Sequence, residues 1–264
     1  MPLVALAITA YVAAAIAQAR ALSGGGEKVS RLPAALALLG AGAHAAAHLS
    51  AWRATGGPDM HFFAALALIA LGTAALTAAL SLSRPIGALG VVAYPLAATL
   101  LLLHGFATRS APTPSMDWQI QLHAGLSLLA YAALSLAALL AIMLWLQERG
   151  LRQRQLGPLL RFFPPLTLVE AMMFRLIAVG FALLTLSLLS GAVFVADLFA
   201  QHLVHKTVLS LLAWLAFGAL LLGRMRYGWR GRRAVRLTLT AMVLLAAGFF
   251  GSKFVLELIL ARGR

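Results

Sequence analysis

Apolar stretches of about 20 residues recur from one end of this chain to the other, and that length is what a helix needs to cross the hydrocarbon core of a bilayer. The runs lie at roughly 2–22, 32–52, 61–82, 86–107, 121–146, 173–196, 204–223 and 237–260, with short connections between them. Lipid offers a bare backbone no hydrogen bonds, so a spanning segment must be a continuous helix or part of a closed barrel. A barrel would read as short segments of alternating polarity. Here the runs are long, Leu- and Ala-rich and unbroken, which argues for helices. The expected fold is all-α: a polytopic integral membrane protein with about eight transmembrane helices, built as one membrane domain over residues 1–264. The chain is 62% hydrophobic and 11% charged, whereas a soluble domain is roughly a quarter charged, so no sizeable soluble domain fits. The longest connection, about 147–172, carries Arg149, Arg152, Arg154 and Arg161 and the Pro164-Pro165 pair, which is expected to break any helix. No low-complexity tract or internal repeat is visible.

The net charge of +14 is not the footprint of a nucleic-acid-binding protein. The basic residues sit in short loops between apolar runs rather than along one soluble face. In that position they set orientation. One set of loops holds Arg20, Lys28 and Arg31, then Arg84, then the arginines of 149–161, then Arg224, Arg226, Arg230, Arg232, Arg233 and Arg236. The opposite set, with both termini, holds fewer: Arg53, Arg109, Lys206, Arg262 and Arg264. This bias puts the 224–236 cluster on the cytoplasmic side of the membrane and both termini on the opposite side. The cluster also suits anionic lipid headgroups. Residues 1–7 carry no basic cluster, so the first run reads as a span rather than a cleaved signal peptide. The chain has no cysteine. Disulfides, thiolate metal sites and a catalytic thiol are excluded.

On that topology all seven histidines fall at the outer side. His48 lies in the outer half of the second span and His44 one turn deeper. His61 opens the third span, His104 closes the fourth, and His123 opens the fifth. His202 and His205 sit in or beside the outer loop before the seventh. Histidine in a bilayer is costly and often functional. Neutral imidazole ligates haem iron and also relays protons. His44 and His48, four apart, share a helix face, and His202 and His205 are three apart. His123 and His205 begin two helices at one face, so together they are placed to grip a planar cofactor from both sides. Zinc is the rival ligand, but no Asp, Glu or Cys pattern completes a site for it. Each histidine taken alone reads as an interfacial residue or an interhelical hydrogen bond, His61 and His104 above all. Asp197 reads as solvated, and Lys253 with Glu257, four apart, as a structural ion pair.

Three stretches of the second half carry a family resemblance. His123-Ala-Gly-Leu-Ser-Leu-Leu-Ala-Tyr131 opens a helix with a histidine and places a tyrosine two turns later. Residues 166–194 present Glu170, Arg175, Gly180-Phe181, Thr185 and Gly191 in that order. Lys206-Thr207 leads through Trp214 to a Gly228-Trp229-Arg230-Gly231 turn, and Phe250-Gly251 follows. In order and spacing these resemble the cytochrome c assembly family, the haem-handling membrane proteins of CcsA and CcmC type, over about residues 120–260; residues 1–110 match only as generic spans. The resemblance implies that His123 stands where the family has an outer haem-ligand histidine. Two family features are missing. The tryptophan-rich loop should precede residue 206, but the chain there reads Asp197-Leu-Phe-Ala-Gln-His202-Leu-Val-His205. The last helix reads Gly251-Ser-Lys253-Phe-Val-Leu-Glu257, without the usual histidine. The chain is therefore similar to the YpjD- or HemX-like branch that lacks the loop. His205 has no counterpart there and is offered on placement alone.

These readings converge on a non-enzymatic membrane protein of cytochrome complex assembly. It is expected to hold or present haem at the outer face, with His123 and His205 as iron ligands and His44, His48 and His202 as further candidates. The expected partners are the lipid bilayer, haem and other cytochrome c assembly proteins. Two alternatives stay open. One is a regulator or stabilising partner of another complex, in haem biosynthesis or ion transport. The other is a small transporter or proton-coupled channel using His44 and His48, although no inverted repeat supports it. A catalytic reading, a hydrolase site included, is disfavoured, because no thiol, paired carboxylate or nucleophile–base motif is present.

Overall fold

A computed structural model describes residues 1–23, 31–107, 116–153, 163–194 and 204–251. His202, Asp197 and the expected Lys253–Glu257 pair lie outside the described residues. Among the described residues the chain is helical without strands: α1 (Pro2–Ser23), α2 (Arg31–Thr55), α3 (Phe62–Ser81), α4 (Gly90–Ala107, entered through a 3₁₀ turn at Gly87–Leu89), α5 (Trp118–Arg152), α6 (Leu166–Phe194), α7 (Val204–Tyr227) and α8 (Gly231–Ala246). All eight are long and apolar enough to cross a membrane, α8 counted together with the turn that continues it to Gly251. The protein is a polytopic, all-α membrane protein.

Two boundaries differ from the sequence expectation, each for a physical reason. The sixth helix starts at Leu166 rather than 173. The Pro164-Pro165 pair does not merely stop a helix; the Pro165 carbonyl accepts from the amides of Leu168 and Val169 at 2.9 and 3.1 Å. Proline lacks a donor that the first turn does not need, and its fixed φ suits helix entry. The eighth helix starts at Gly231 rather than 237. Arg232, Arg233 and Arg236 are exposed on its first turns while Ala234, Val235, Thr238, Ala241 and Leu245 are buried, so a charged face hid a helical start.

The helices divide between two compact units. One comprises residues 1–116 and 150–169, and the other residues 117–149 and 170–264. In the first unit, α1 to α4 pack through small residues. Ala7, Ala10 and Ala14 on α1 and Ala34, Ala37 and Ala41 on α2 are buried. Helices in lipid gain contact by letting backbones approach, since lipid tails are as apolar as leucine. Gly40 marks a close approach of α1 and α2: a Cβ there would stand 3.0 Å from the Tyr11 ring and 3.3 Å from the Ala7 carbonyl oxygen.

In the second unit α5 is the most buried element. Ala130, Tyr131, Ala132, Ala133 and Leu134 are buried in succession, so every face of the helix is covered there, and Leu136, Ala137, Leu140, Ala141 and Leu144 continue the core. The turn from α7 to α8 is fixed by backbone chemistry. Gly228 takes φ 63° and Gly231 φ 55°, left-handed values that glycine adopts without strain. The Gly228 amide donates to the Arg224 carbonyl and the Trp229 amide to the Gly223 carbonyl, both at 3.2 Å, closing the helix end. Trp229 then folds onto Gly223, where a Cβ would overlap the indole. Gly223→Ala is expected to displace Trp229 and lower stability by about 1–3 kcal/mol, the usual cost of overpacking. Thermal unfolding of the detergent-purified variant, followed by size-exclusion fluorescence, would read it.

Three features complete the second unit. Glu170 on α6 is buried at 3% exposure and paired with Arg224 and Arg230. Phe181 stacks on Trp214 with ring centroids 5.5 Å apart, and the indole Nε1 donates to Thr185 Oγ1 at 2.8 Å. Beyond Ala246 the last helix passes into a π-helical turn over Ala247–Gly251. There the Tyr131 hydroxyl of α5 donates to the Leu245 carbonyl at 2.6 Å, and its ring meets both Phe249 and Phe250.

Candidate functional site

The histidines separate into two groups. In the second unit His123 sits in the second turn of α5 with its ring against the end of α6. Its Nδ1 lies 2.9 Å from the Ser187 carbonyl oxygen and 3.1 Å from Ser190 Oγ. A carbonyl oxygen can only accept, so Nδ1 carries a proton, and in the neutral ring Nε2 then holds the lone pair. Nothing among the described residues bonds to that Nε2. The contact is supported from behind. Ser190 Oγ donates to the same Ser187 carbonyl at 2.8 Å. Ser127 Oγ donates to the His123 carbonyl at 2.8 Å and lies 2.7 Å from Ser187 Oγ. Gly191 leaves room for the ring: a Cβ there would stand 3.1 Å from His123 Cε1. This is a fixed tautomer with one lone pair free to ligate a metal, oriented much as the outer partners of metal sites orient imidazole.

His205 is exposed in the first turn of α7. The end of α6 meets the start of α5 through His123, and the start of α6 meets the end of α7 through Glu170 and Arg224. The first turns of α5 and α7 therefore lie at one end of the second unit. No contact joins the rings of His123 and His205 among the described residues.

In the first unit the structure brings His44, His48 and His104 together. The His44 and His48 rings on α2 stack with centroids 5.2 Å apart at 25°. His104 of α4 continues the stack against His48 at 4.9 Å and 13°. The Tyr11 hydroxyl reaches His44 Nδ1 at 3.4 Å. His44 is fully buried, and the Nε2 atoms of His44 and His48 are buried without a hydrogen-bond partner. In the connection between α2 and α3, Asp59 Oδ1 meets His61 Nδ1 at 2.6 Å and accepts from its backbone amide at 3.0 Å. Partial burial works to raise the Asp59 carboxyl, but the His61 amide and ring outweigh it and hold Asp59 below the usual carboxylate range. No group of three or more His, Cys, Asp or Glu with metal-site geometry occurs among the described residues.

Spacing along α2 accounts for His44 beside His48. The entry of His104 and Tyr11 from other helices left no mark in the sequence, and neither did the Ser187–Ser190 support of His123. Glu170 was visible as a motif residue, but its two arginine partners were not.

The profile of the family described as cytochrome C assembly protein matches residues 29–260. The chain belongs to that family. The family match begins within the first unit, so the stacked histidines of α2 and α4 lie inside it, well before the stretch from 120 where the resemblance could be traced by motif. Among relatives, the inner membrane protein YpjD of Escherichia coli K12 is 37% identical over 164 residues, 62% of this chain and 60% of that protein. An uncharacterized 28.8 kDa protein of Azospirillum brasilense is 39% identical over 171 residues, 61% of this chain and 63% of that protein. The cytochrome c biogenesis protein CcsA of Synechococcus sp. CC9902 is 26% identical over 163 residues, 53% of each chain. The chain thus spans about three fifths or less of the length of these curated relatives. No solved structure matches.

Proposed function

We propose that this protein is an inner-membrane haem-handling factor of cytochrome c assembly, which holds or presents haem at the outer face without catalysing bond formation. The observation that carries the reading is the His123 tautomer: Nδ1–H committed to the Ser187 carbonyl and Nε2 left as a lone pair. Family membership supplies the context; the CcsA relative is named for cytochrome c biogenesis and the Escherichia coli relative for the inner membrane.

The residues present fit a haem. Imidazole is a common axial ligand of haem iron. His123 is the first ligand in this reading, and His205, exposed at the same end of the second unit, is the second. His44, His48 and His202 rank behind them. Bound haem would supply the iron whose oxidation state the assembly pathway must manage. The chain's own work is narrower. Ser187 and Ser190 hold the ring of His123 in one orientation, Gly191 leaves it space, and the surrounding apolar helices keep a hydrophobic macrocycle out of water. Other cytochrome c assembly proteins are the partners in this reading, since the chain supplies no thiol of its own.

The test is the absorption spectrum of the protein purified from haem-supplemented cells. A Soret band with a pyridine haemochrome signal is expected, and the absence of both would overturn the reading. Orientation is tested separately. With both termini periplasmic, a carboxy-terminal alkaline phosphatase fusion is expected to be active and a green fluorescent protein fusion dark; the reverse pattern would place the proposed ligands on the wrong side.

A further inference from the structure

The stacked histidines of the first unit are not needed for the reading of His123, and they are expensive. Three imidazoles occupy positions where a four-helix membrane unit could have packed leucine. Two of their nitrogens, His44 Nε2 and His48 Nε2, are buried without a partner, each a desolvation cost of about 1–3 kcal/mol. Intramembrane ionisable groups at such cost mark ion or proton pathways more often than packing.

The polar side chains do not stop at the stack. Towards the connection between α2 and α3, the charge of Asp59 acts on both His48 and His104, and Asp59 is itself tied to His61. In the other direction Tyr11 joins His44 at mid-helix, and Tyr94 on the neighbouring α4 is fully buried. The Tyr94 hydroxyl lies near Ser81 at the end of α3 but without a hydrogen-bond partner among the described residues. Gln18, also buried, sits against Gly87 at that same end. Antiparallel α1 to α4 thus carry buried polar side chains at successive depths, of which the histidines, Asp59 and the tyrosine and serine hydroxyls can pass a proton, with Gln18 able only to hydrogen-bond.

We propose that this buried polar file is a transmembrane proton pathway through α1–α4. Neutral imidazole accepts a proton at one nitrogen and releases one from the other, so one proton advances while the ring changes tautomer, with no net chemistry. Stacked rings direct their in-plane nitrogens past one another, so transfer between them runs through bridging water. Asp59, ionised and beside His61, gathers protons at one mouth. Tyr11 is the bridge between the histidine half and the half containing Tyr94 and Ser81, because its hydroxyl is the group that meets His44.

The experiment uses the full chain in liposomes that enclose a pH-sensitive dye, with a potassium diffusion potential, negative inside, set by valinomycin. Inward proton flux above that of protein-free vesicles is expected. His44→Leu is expected to reduce it to the protein-free level. Tyr11→Phe keeps the ring that packs on Gly40 and removes only the hydroxyl, so it is expected to fold normally and also to lose the flux. Wild-type flux no greater than background, or full flux in Tyr11→Phe, would overturn the proposal. Tyr11→Phe should leave the haem spectrum unchanged, so the failure of either reading is visible without the other.

Discussion

Replacing His123 by alanine is expected to abolish the Soret band of the purified protein, or to convert it to the spectrum of loosely held haem. The change removes an imidazole whose ring is held through Nδ1 with Nε2 presented. Loss of an orienting partner alone commonly costs about 10–100-fold in metal affinity, so loss of the ligand itself should exceed that. Gly191→Ala makes the sharper comparison. It leaves the histidine in place and puts a methyl group 3.1 Å from Cε1, which forces the ring or α6 to give by a few tenths of an ångström. A weakened or shifted Soret band with unchanged thermal stability would show that orientation matters. Wild-type spectra in both variants would remove His123 from the site. His205→Ala should lie between them if His205 is the second ligand, because the imidazole held in orientation by Ser187 would remain.

The second large effect is expected at Glu170. Its carboxylate is buried at 3% exposure and accepts from Arg230 Nε and Nη2 at 3.2 and 3.1 Å, with Arg224 Nη1 at 3.4 Å. Arg224 in turn donates to the Trp229 carbonyl at 3.3 Å and lies over the Phe174 ring. Removing one partner of a buried pair costs about 3–5 kcal/mol. Arg230 is 60% exposed and Arg224 32%, so water can take up much of what they lose, and Glu170→Ala is expected nearer about 2–3 kcal/mol. The measurement is thermal unfolding in detergent. Glu170→Gln with Arg230→Gln should recover part of the loss, because it removes the charges together. A loss no larger than that of an exposed charge, such as Arg226→Ala, would show that the pair does not hold α6 to the α7–α8 turn.

The spans were legible because lipid imposes a length and a composition at once, and runs such as 61–82 and 204–223 satisfy both. Their ends were less legible. Pro164-Pro165 reads as a stop from one side and is a start from the other, and Arg232, Arg233 and Arg236 read as loop although α8 already contains them. The same division holds for function. His123 opens a span, and His44 and His48 sit at helical spacing, which a linear sequence records. The Ser187 carbonyl that fixes the tautomer of His123 is a backbone atom 64 residues away, and no side-chain pattern announces it. His104 was read as an interfacial residue, because nothing local to it says that α4 passes beside α2 at the height of His48.

The π-helical turn after Ala246 has a consequence for how α8 ends. A wider turn holds one residue more than the regular spiral does, so the segment beyond it is rephased against the segment before. That is how Phe249 and Phe250, neighbours in sequence and about 100° apart on a regular helix, both come to flank one tyrosine. Deleting a single residue within 247–251 would restore the regular spiral and rotate one of the two phenyl groups away from Tyr131, although every side chain needed for the cluster would still be present. The aromatic clasp is thus written in the count of residues as much as in their identity.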